Sequence, residues 1–268
     1  MLRWIVGIII SMAVVIGLWV TPAVAKEAKE KAAEHYVFGK RNSPTPGPVS
    51  GGLLLMGGGD RNVDAMKWFF AKAGNGHIVV ISASYGQEIG EEFYKEIGGI
   101  QSAEIFVFHA RSQAYDKKIL DRLRKADGIF IAGGDQARYV RYWRGTPVAA
   151  ILDAHVVAGK PLAGTSAGLA MQGEKLYGAM DDGSIKSAEA LANPLGPANT
   201  IEGDFLHLAL LKGIVTDTHF KERERLGRLF AFVAKAQVGR DPGLPAMLGL
   251  GVDESAALAV EPDGTGRI

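Results

Sequence analysis

From residue 51 onward, short apolar runs alternate with stretches of helical spacing, and this alternation constrains the fold most. Runs such as His77–Ser82 have the length of buried strands. Between the runs, segments such as 63–73 and Pro147–Val157 have the composition and length of helices. Strands separated by helices of this length pair in parallel, because the crossover helix returns the chain to the same end of the sheet. We therefore predict an α/β fold with a doubly wound, mostly parallel sheet and flanking helices.

Composition excludes several classes of site. The formal net charge of +1 argues against a nucleic-acid partner held by bulk charge. The absence of cysteine excludes disulfides, thiolate metal sites and cysteine nucleophiles. A glycine run at 57–59 lacks the spacing of a dinucleotide site, and the following apolar run HIVVIS ends without a ribose-binding acid. No cluster has metal-ligand spacing, so we predict no cofactor and no metal.

The N-terminus has the pattern of an export signal. Arg3 precedes an apolar run at 5–20, and Ala23 and Ala25 are small residues at the positions that signal peptidase reads. We predict a signal peptide at 1–25, cleavage before Lys26, and a periplasmic or extracellular protein without a stable membrane anchor. The alternative is an uncleaved anchor, although the apolar run is short for a spanning helix. Residues 26–48 are charged and then proline-rich, which predicts a solvated arm or linker before a hydrolase domain at 49–268.

A serine lies between glycines in the sequence GTSAG at 164–168, after a short apolar run and before an apolar stretch. This pattern is typical of a nucleophile elbow, in which a tight strand-to-helix turn exposes the serine hydroxyl. Ser166 is the candidate nucleophile, and the amide of Ala167 can point at a developing oxyanion. The alternative is a packed glycine–serine turn without a catalytic role.

A serine nucleophile needs a base, and the base needs an acidic partner. His219 follows the predicted strand GIVTDT at the end where α/β sites gather. Asp217 and Glu254 are both candidates for the partner, and either can instead be a solvated turn carboxylate. The sequence alone leaves this choice open.

A second glycine turn, GGDQ at 133–136, follows the apolar run GIFIA. An amide of Gly133 or Gly134 can supply a second oxyanion donor, and the amide side chain of Gln136 can bind substrate. The alternative is an ordinary turn in which Asp135 caps the next helix.

The segments GGDQ, GTSAG, DTHFKERERLGRL (217–229) and GVDESAAL (251–258) occur in this order. Together they resemble the cyanophycinase and aspartyl dipeptidase family of serine peptidases, with the histidine segment closest to cyanophycinase. The resemblance covers roughly residues 51–260 and implies a fold similar to class I glutamine amidotransferases. It implies roles for ten residues: Ser166 as nucleophile, His219 as base, Glu254 as acid, Gly133, Gly134 and Ala167 in the oxyanion hole, and Gln136 with some of Arg223, Arg225 and Arg228 at the substrate.

The resemblance implies hydrolysis of cyanophycin, a polyaspartate with β-linked arginine, to β-Asp-Arg dipeptides through an acyl-enzyme. Alternatives are an exported peptidase for other Asp-containing or isoaspartyl peptides, and a non-catalytic periplasmic binding protein of the same fold. The resemblance also implies that a homodimer can form. Family members usually continue beyond the DES segment, so we expect either a compact version of the domain or one shortened at its C-terminus.

Overall fold

The computed structural model describes residues 31–44, 47–181 and 183–268. The predicted signal peptide and its cleavage position lie outside these residues. Among the described residues, no helix has the length and apolar character needed to cross a bilayer.

An eight-stranded sheet forms the centre of the fold, in the order β1-β4-β3-β5-β6-β2-β11-β12. The five strands from β4 to β2 in this order pair in parallel, whereas β1, β11 and β12 pair antiparallel at the two edges. The bounds of these strands are β1 Glu34–Gly39, β2 Gly52–Met56, β3 His77–Ser82, β4 Ser102–Val107, β5 Gly128–Ile131, β6 Pro161–Thr165, β11 Ala257–Val260 and β12 Gly266–Arg267.

The parallel strands bury both faces, which explains why their sequences read as continuous apolar runs. Alternate residues of β2 divide between two clusters: Leu53 and Leu55 pack on one face, and Leu54 and Met56 on the other. Helices cover both faces, as a doubly wound sheet requires. The helices are α1 Val63–Lys72, α2 Gln87–Glu91 with a π-helical continuation Glu92–Ile97, α3 Lys117–Lys125, α4 Gln136–Trp143, α5 Pro147–Val157, α6 Ala167–Ala170, α7 Ser187–Ala192 and α8 Leu226–Gln237.

The predicted α/β class is confirmed, and the structure adds a second sheet of four short strands that the sequence analysis did not separate from the first. Its order is β10-β9-β7-β8, and β9 runs parallel to both β10 and β7. A third cluster of buried residues packs α8 against this sheet. The bounds are β7 Lys175–Tyr177, β8 Ile201–Glu202, β9 Ile214–Asp217 and β10 Leu248–Gly251.

The prediction of a solvated arm over the whole of 26–48 is wrong, because β1 lies within that range. Tyr36 and Phe38 pack against the core of the main sheet. His35 contacts the buried carboxylate of Glu104 at 2.8 Å, and Arg41 contacts the same carboxylate at 3.3 Å. Charged residues of this segment therefore pair with a buried acid, because a buried carboxylate needs partners. The composition of the segment had indicated a linker, and these contacts order it instead.

Candidate active site

Ser166 lies at the turn between β6 and α6 in a backbone conformation that side chains rarely adopt, with φ of 51° and ψ of −122°. Its amide donates to the carbonyl of Met56 on the neighbouring strand β2 at 3.0 Å. A non-glycine residue in such a conformation costs about 1–3 kcal/mol and persists only where its surroundings hold it. This is the geometry of a nucleophile elbow, with the hydroxyl presented at the carboxyl end of the sheet.

The two glycines of the elbow are required by close backbone contacts. A Cβ on Gly164 would lie 2.3 Å from the carbonyl oxygen of Gly168, and a Cβ on Gly168 would lie 2.1 Å from the carbonyl oxygen of Ile131. Both distances are far inside van der Waals contact. The GxSxG pattern therefore follows from the tight turn and from its packing against β5.

The structure brings the predicted serine, histidine and glutamate together. The hydroxyl of Ser166 donates to Nε2 of His219 at 2.7 Å, and Nδ1 of the same imidazole donates to a carboxylate oxygen of Glu254. His219 is buried, whereas a third of the Glu254 side chain is exposed. The contact with the carboxylate keeps the proton on Nδ1, which leaves Nε2 free to accept from the serine.

Burial lowers the pKa of the His219 imidazole, and the hydrogen bond with Glu254 offsets part of that shift. Positive charge on the nearby Arg223 and Arg225 lowers the pKa further. The imidazole therefore stays neutral at pH values where a free histidine is already partly protonated, as a general base must.

The glycine run at 57–59 supports this histidine and glutamate, a function that the sequence analysis missed. A Cβ on Gly58 would lie 2.3 Å from Cε1 of His219, and a Cβ on Gly59 would lie 2.9 Å from Cβ of Glu254. The carbonyl of Gly57 accepts from the amide of His219 at 2.8 Å. The signal in the sequence was a run of glycines after an apolar run, without the spacing of a dinucleotide site. That signal does not identify which side chains pack against the glycines.

The open choice between Asp217 and Glu254 is settled by the contacts of Asp217. This aspartate is buried and ion-paired with Arg228, whose Nε donates to it at 2.7 Å. The rings of Tyr177 and Phe232 stack on each other at 4.7 Å, and the guanidinium of Arg228 lies beside this stack, 5.5 Å from each centroid. The prediction that Arg228 is near substrate is therefore wrong, because its side chain is buried and its donors are occupied by the protein.

The other two arginines have different environments. Both precede α8. Arg225 is buried, donates to the carbonyl of Thr218 at 2.8 Å, and has a pKa that burial lowers to about 10. Arg223 is exposed, and no hydrogen bond or ion pair engages its side chain within the described part of the chain. Both arginines line the pocket beside Ser166.

The glycine turn after β5 lies next to the nucleophile. A Cβ on Gly133 would lie 3.3 Å from Cβ of Ser166 and 3.1 Å from the hydroxyl of Tyr85. Gly134 has a φ of 137°, and a Cβ there would lie 2.3 Å from Oγ of Ser84. The same hydroxyl of Ser84 accepts from the amide of Asp135 at 3.3 Å. Sequence analysis identified the glycine turn but missed the loop after β3 that supports it.

The backbone amides at this point are free to bind a ligand. In residues 31–44, 47–181 and 183–268, the amides of Gly133, Gly134 and Ala167 donate to no protein acceptor. Amide donors that carry no protein acceptor beside a nucleophile can stabilise the oxyanion of a tetrahedral intermediate. The oxyanion hole stays a prediction, with these three unpaired amides as its candidate donors.

A pocket of about 180 Å³ opens beside Ser166 and His219. Gln136 lines it, and its side-chain amide donates to the carbonyl of Tyr177. That contact uses its nitrogen and orients the side chain, so its oxygen is the atom available to a ligand. No cluster of metal-ligating side chains occurs in the described residues.

Comparison with known proteins supplies a family for this site. A family model, Peptidase family S51, matches residues 53–265. Cyanophycinase of Trichormus variabilis is 29% identical over 230 residues, or 82% of this chain and 71% of that protein. Cyanophycinase of Synechococcus elongatus is 32% identical over 196 residues, or 71% of this chain and 54% of that protein.

A solved structure is similar in fold. The crystal structure of a peptidase from an acI-B1 actinobacterium superimposes with a TM-score of 0.55 at 17% identity, covering 79% of this chain and 84% of that one. At this identity the likeness concerns the fold alone, and it confirms the predicted α/β architecture.

Proposed function

The chain belongs to peptidase family S51 and is a serine-type peptidase, and from this premise we propose that it hydrolyses cyanophycin to β-Asp-Arg dipeptides. The observation that carries the catalytic assignment is the hydrogen-bonded chain from Ser166 through His219 to Glu254 at a strained elbow. The substrate assignment is supported by the likeness to two cyanophycinases.

In the proposed reaction, Oγ of Ser166 attacks the substrate carbonyl while Nε2 of His219 takes the hydroxyl proton. Glu254 stabilises the imidazolium that forms, and the amides of the Gly133–Gly134 turn and of Ala167 donate to the oxyanion. Collapse of the tetrahedral intermediate breaks the C–N bond, and Nε2 returns the proton to the leaving amine. A water molecule then attacks the acyl-enzyme by the same route and releases the acid.

The runner-up is a peptidase for other Asp-containing or isoaspartyl peptides. Incubation of the purified protein with cyanophycin, polyaspartate and isoaspartyl dipeptides, followed by mass identification of the products, separates the two substrates. We expect β-Asp-Arg from cyanophycin and little turnover of the others. Cleavage of isoaspartyl dipeptides with intact cyanophycin would replace the proposal by the runner-up.

The catalytic assignment has its own test. Ser166→Ala should lose several orders of magnitude in turnover and should no longer react with a fluorophosphonate probe, because triad members act as a unit. Ser50→Ala is the matched control, since Ser50 is exposed and its hydroxyl has no partner in the described part of the chain. Labelling of a folded Ser166→Ala protein would favour a non-catalytic site at the elbow.

We also propose that the protein is exported, with Ala25 and Lys26 flanking the cleavage position. The sequence pattern at 1–25 is the support for this proposal. N-terminal sequencing of protein from the exported fraction should begin at Lys26. An intact Met1 in the membrane fraction would favour the anchor.

A further inference from the structure

The pocket beside Ser166 is smaller than a peptide substrate needs. Its volume is about 180 Å³, whereas small-molecule sites in proteins occupy roughly 300–1,000 Å³. A groove of about 680 Å³ adjoins it, and the two spaces share Ser184, Arg223 and Arg225 in their walls. The groove therefore lies next to the space in which a substrate would be held at Ser166.

The groove carries cations without partners. Lys186, Lys221 and Arg223 all line it and are exposed. None of these three side chains forms a hydrogen bond or ion pair with any described residue. They come from two segments, one before α7 and one before α8, which the fold brings to one groove.

Two acidic residues, Glu222 and Glu224, also line the groove. Glu222 accepts the backbone amide of Glu254 at 3.0 Å, and that hydrogen bond lowers the pKa of its carboxyl. Glu224 is the other acidic residue in the wall and makes no ion pair within the described part of the chain. Arg225 also lines the groove but is ion-paired with Asp217 at 3.5 Å, so three exposed cations share the groove with two carboxylates. This excess of positive charge favours an anionic ligand.

We propose that the groove lined by Lys186, Lys221 and Arg223 is an extended subsite that binds the carboxylates of substrate residues beyond the scissile amide. This inference rests on the proposed hydrolase function, because it assigns the ligand by the position of the groove next to the pocket at Ser166. Carboxylates are the matching chemistry, since guanidinium and ammonium groups pair with them through charge-assisted hydrogen bonds. A chain with one carboxylate per repeat engages the three cations in succession, which a dipeptide is too short to do.

The test reverses the charge of two groove residues that are not part of the triad. The double variant Lys186→Glu/Lys221→Glu is compared with Lys117→Glu/Lys125→Glu, which changes net charge equally at two exposed positions of α3 outside the groove. Each pair is made in the active enzyme and in the inactive Ser166→Ala protein. The inactive proteins report binding of a fluorescein-labelled penta-aspartate by anisotropy, and the active proteins report turnover of a small activated ester.

We expect the groove variant to bind penta-aspartate at least tenfold more weakly, with ester turnover within about twofold of wild type. Raised salt should weaken binding to the wild-type groove, because the contacts are between solvent-exposed charges. The control variant should match wild type in both assays. Equal affinity of the two charge-reversed proteins for penta-aspartate would overturn the subsite.

Failure of the subsite is distinguishable from failure of the proposed function. A wild-type protein that binds penta-aspartate through the groove but does not cleave cyanophycin supports the subsite and contradicts the substrate. A protein that cleaves cyanophycin equally well with either pair of reversed charges contradicts the subsite and leaves the substrate assignment standing.

Discussion

Substitution of Gly58 by alanine tests whether the glycine run after β2 positions the catalytic histidine. The new Cβ would lie 2.3 Å from Cε1 and 2.6 Å from Nε2 of His219. Ordinary van der Waals contact begins near 3.4 Å, so the imidazole must retreat by about 1 Å. Its retreat lengthens the hydrogen bond to Ser166, which measures 2.7 Å.

The magnitude follows from that displacement. A misplacement of about 1 Å in a catalytic constellation costs on the order of 100-fold in rate. We therefore expect Gly58→Ala to lower kcat for a small activated ester about 100-fold, and to slow fluorophosphonate labelling to a similar degree. Because the ester needs only the nucleophile, the base and the oxyanion hole, substrate positioning elsewhere does not contribute to this loss.

Alanine at Gly58 also strains the backbone, since φ is 109° there. Gly159→Ala is the matched control: its φ is 71°, and a Cβ there meets nothing within 4 Å. A left-handed alanine costs about 1–2 kcal/mol, so both variants should have lower melting temperatures. Only Gly58→Ala should lose activity, as measured on protein that circular dichroism shows to be folded.

Two results would refute the reasoning. If folded Gly58→Ala keeps kcat within about threefold of wild type, the imidazole is not held against this glycine. If Gly159→Ala loses as much activity as Gly58→Ala, backbone strain rather than contact with His219 controls the rate.

Three further predictions concern the surroundings of the triad. His219 must be neutral to act as base, and burial lowers its pKa, so kcat/KM should fall only as pH drops through an inflection below about 6.5. Glu254→Gln should move that inflection lower still, because the hydrogen bond with Glu254 raises the pKa of His219. An unchanged pH–rate profile in this variant would contradict the contact between Glu254 and His219. Asp217→Asn should lower the free energy of unfolding, measured by denaturant titration, by about 3 kcal/mol, because it weakens the buried ion pair with Arg228. A variant with unchanged stability and lost activity would place this aspartate in catalysis instead. Ser84→Ala should lower kcat about tenfold at constant KM, because it removes the hydroxyl that holds the amide of Asp135 and so loosens the Gly133–Gly134 turn. A change confined to KM would instead indicate that Ser84 contacts the substrate.

The main sheet was predictable because its signals are local. Each buried strand reads as an apolar run, and the crossover helices between the strands have the spacing and length that parallel pairing requires. The elbow was predictable for a similar reason: two glycines around a serine mark a turn that only small residues can enter. The second sheet was not predictable as a unit, because its strands are only two to four residues long and their pairing depends on distant segments.

The sequence by itself therefore determined the α/β class, the position of Ser166 at a strand-to-helix turn, and the residue types from which a base and an acid could be drawn. Local sequence patterns left two acids open and the family resemblance implied Glu254, but only the tertiary structure shows which of them contacts the imidazole. Asp217 lies two residues from His219 in sequence, yet it faces Arg228 in the core of the second sheet. Glu254 is 35 residues away, yet it reaches the imidazole, because β9 and β10 pair in parallel and end at the same edge. The partner of the imidazole depends on how the two sheets pack together. Spacing along the chain does not determine that packing, because the contacts join segments that are distant in sequence.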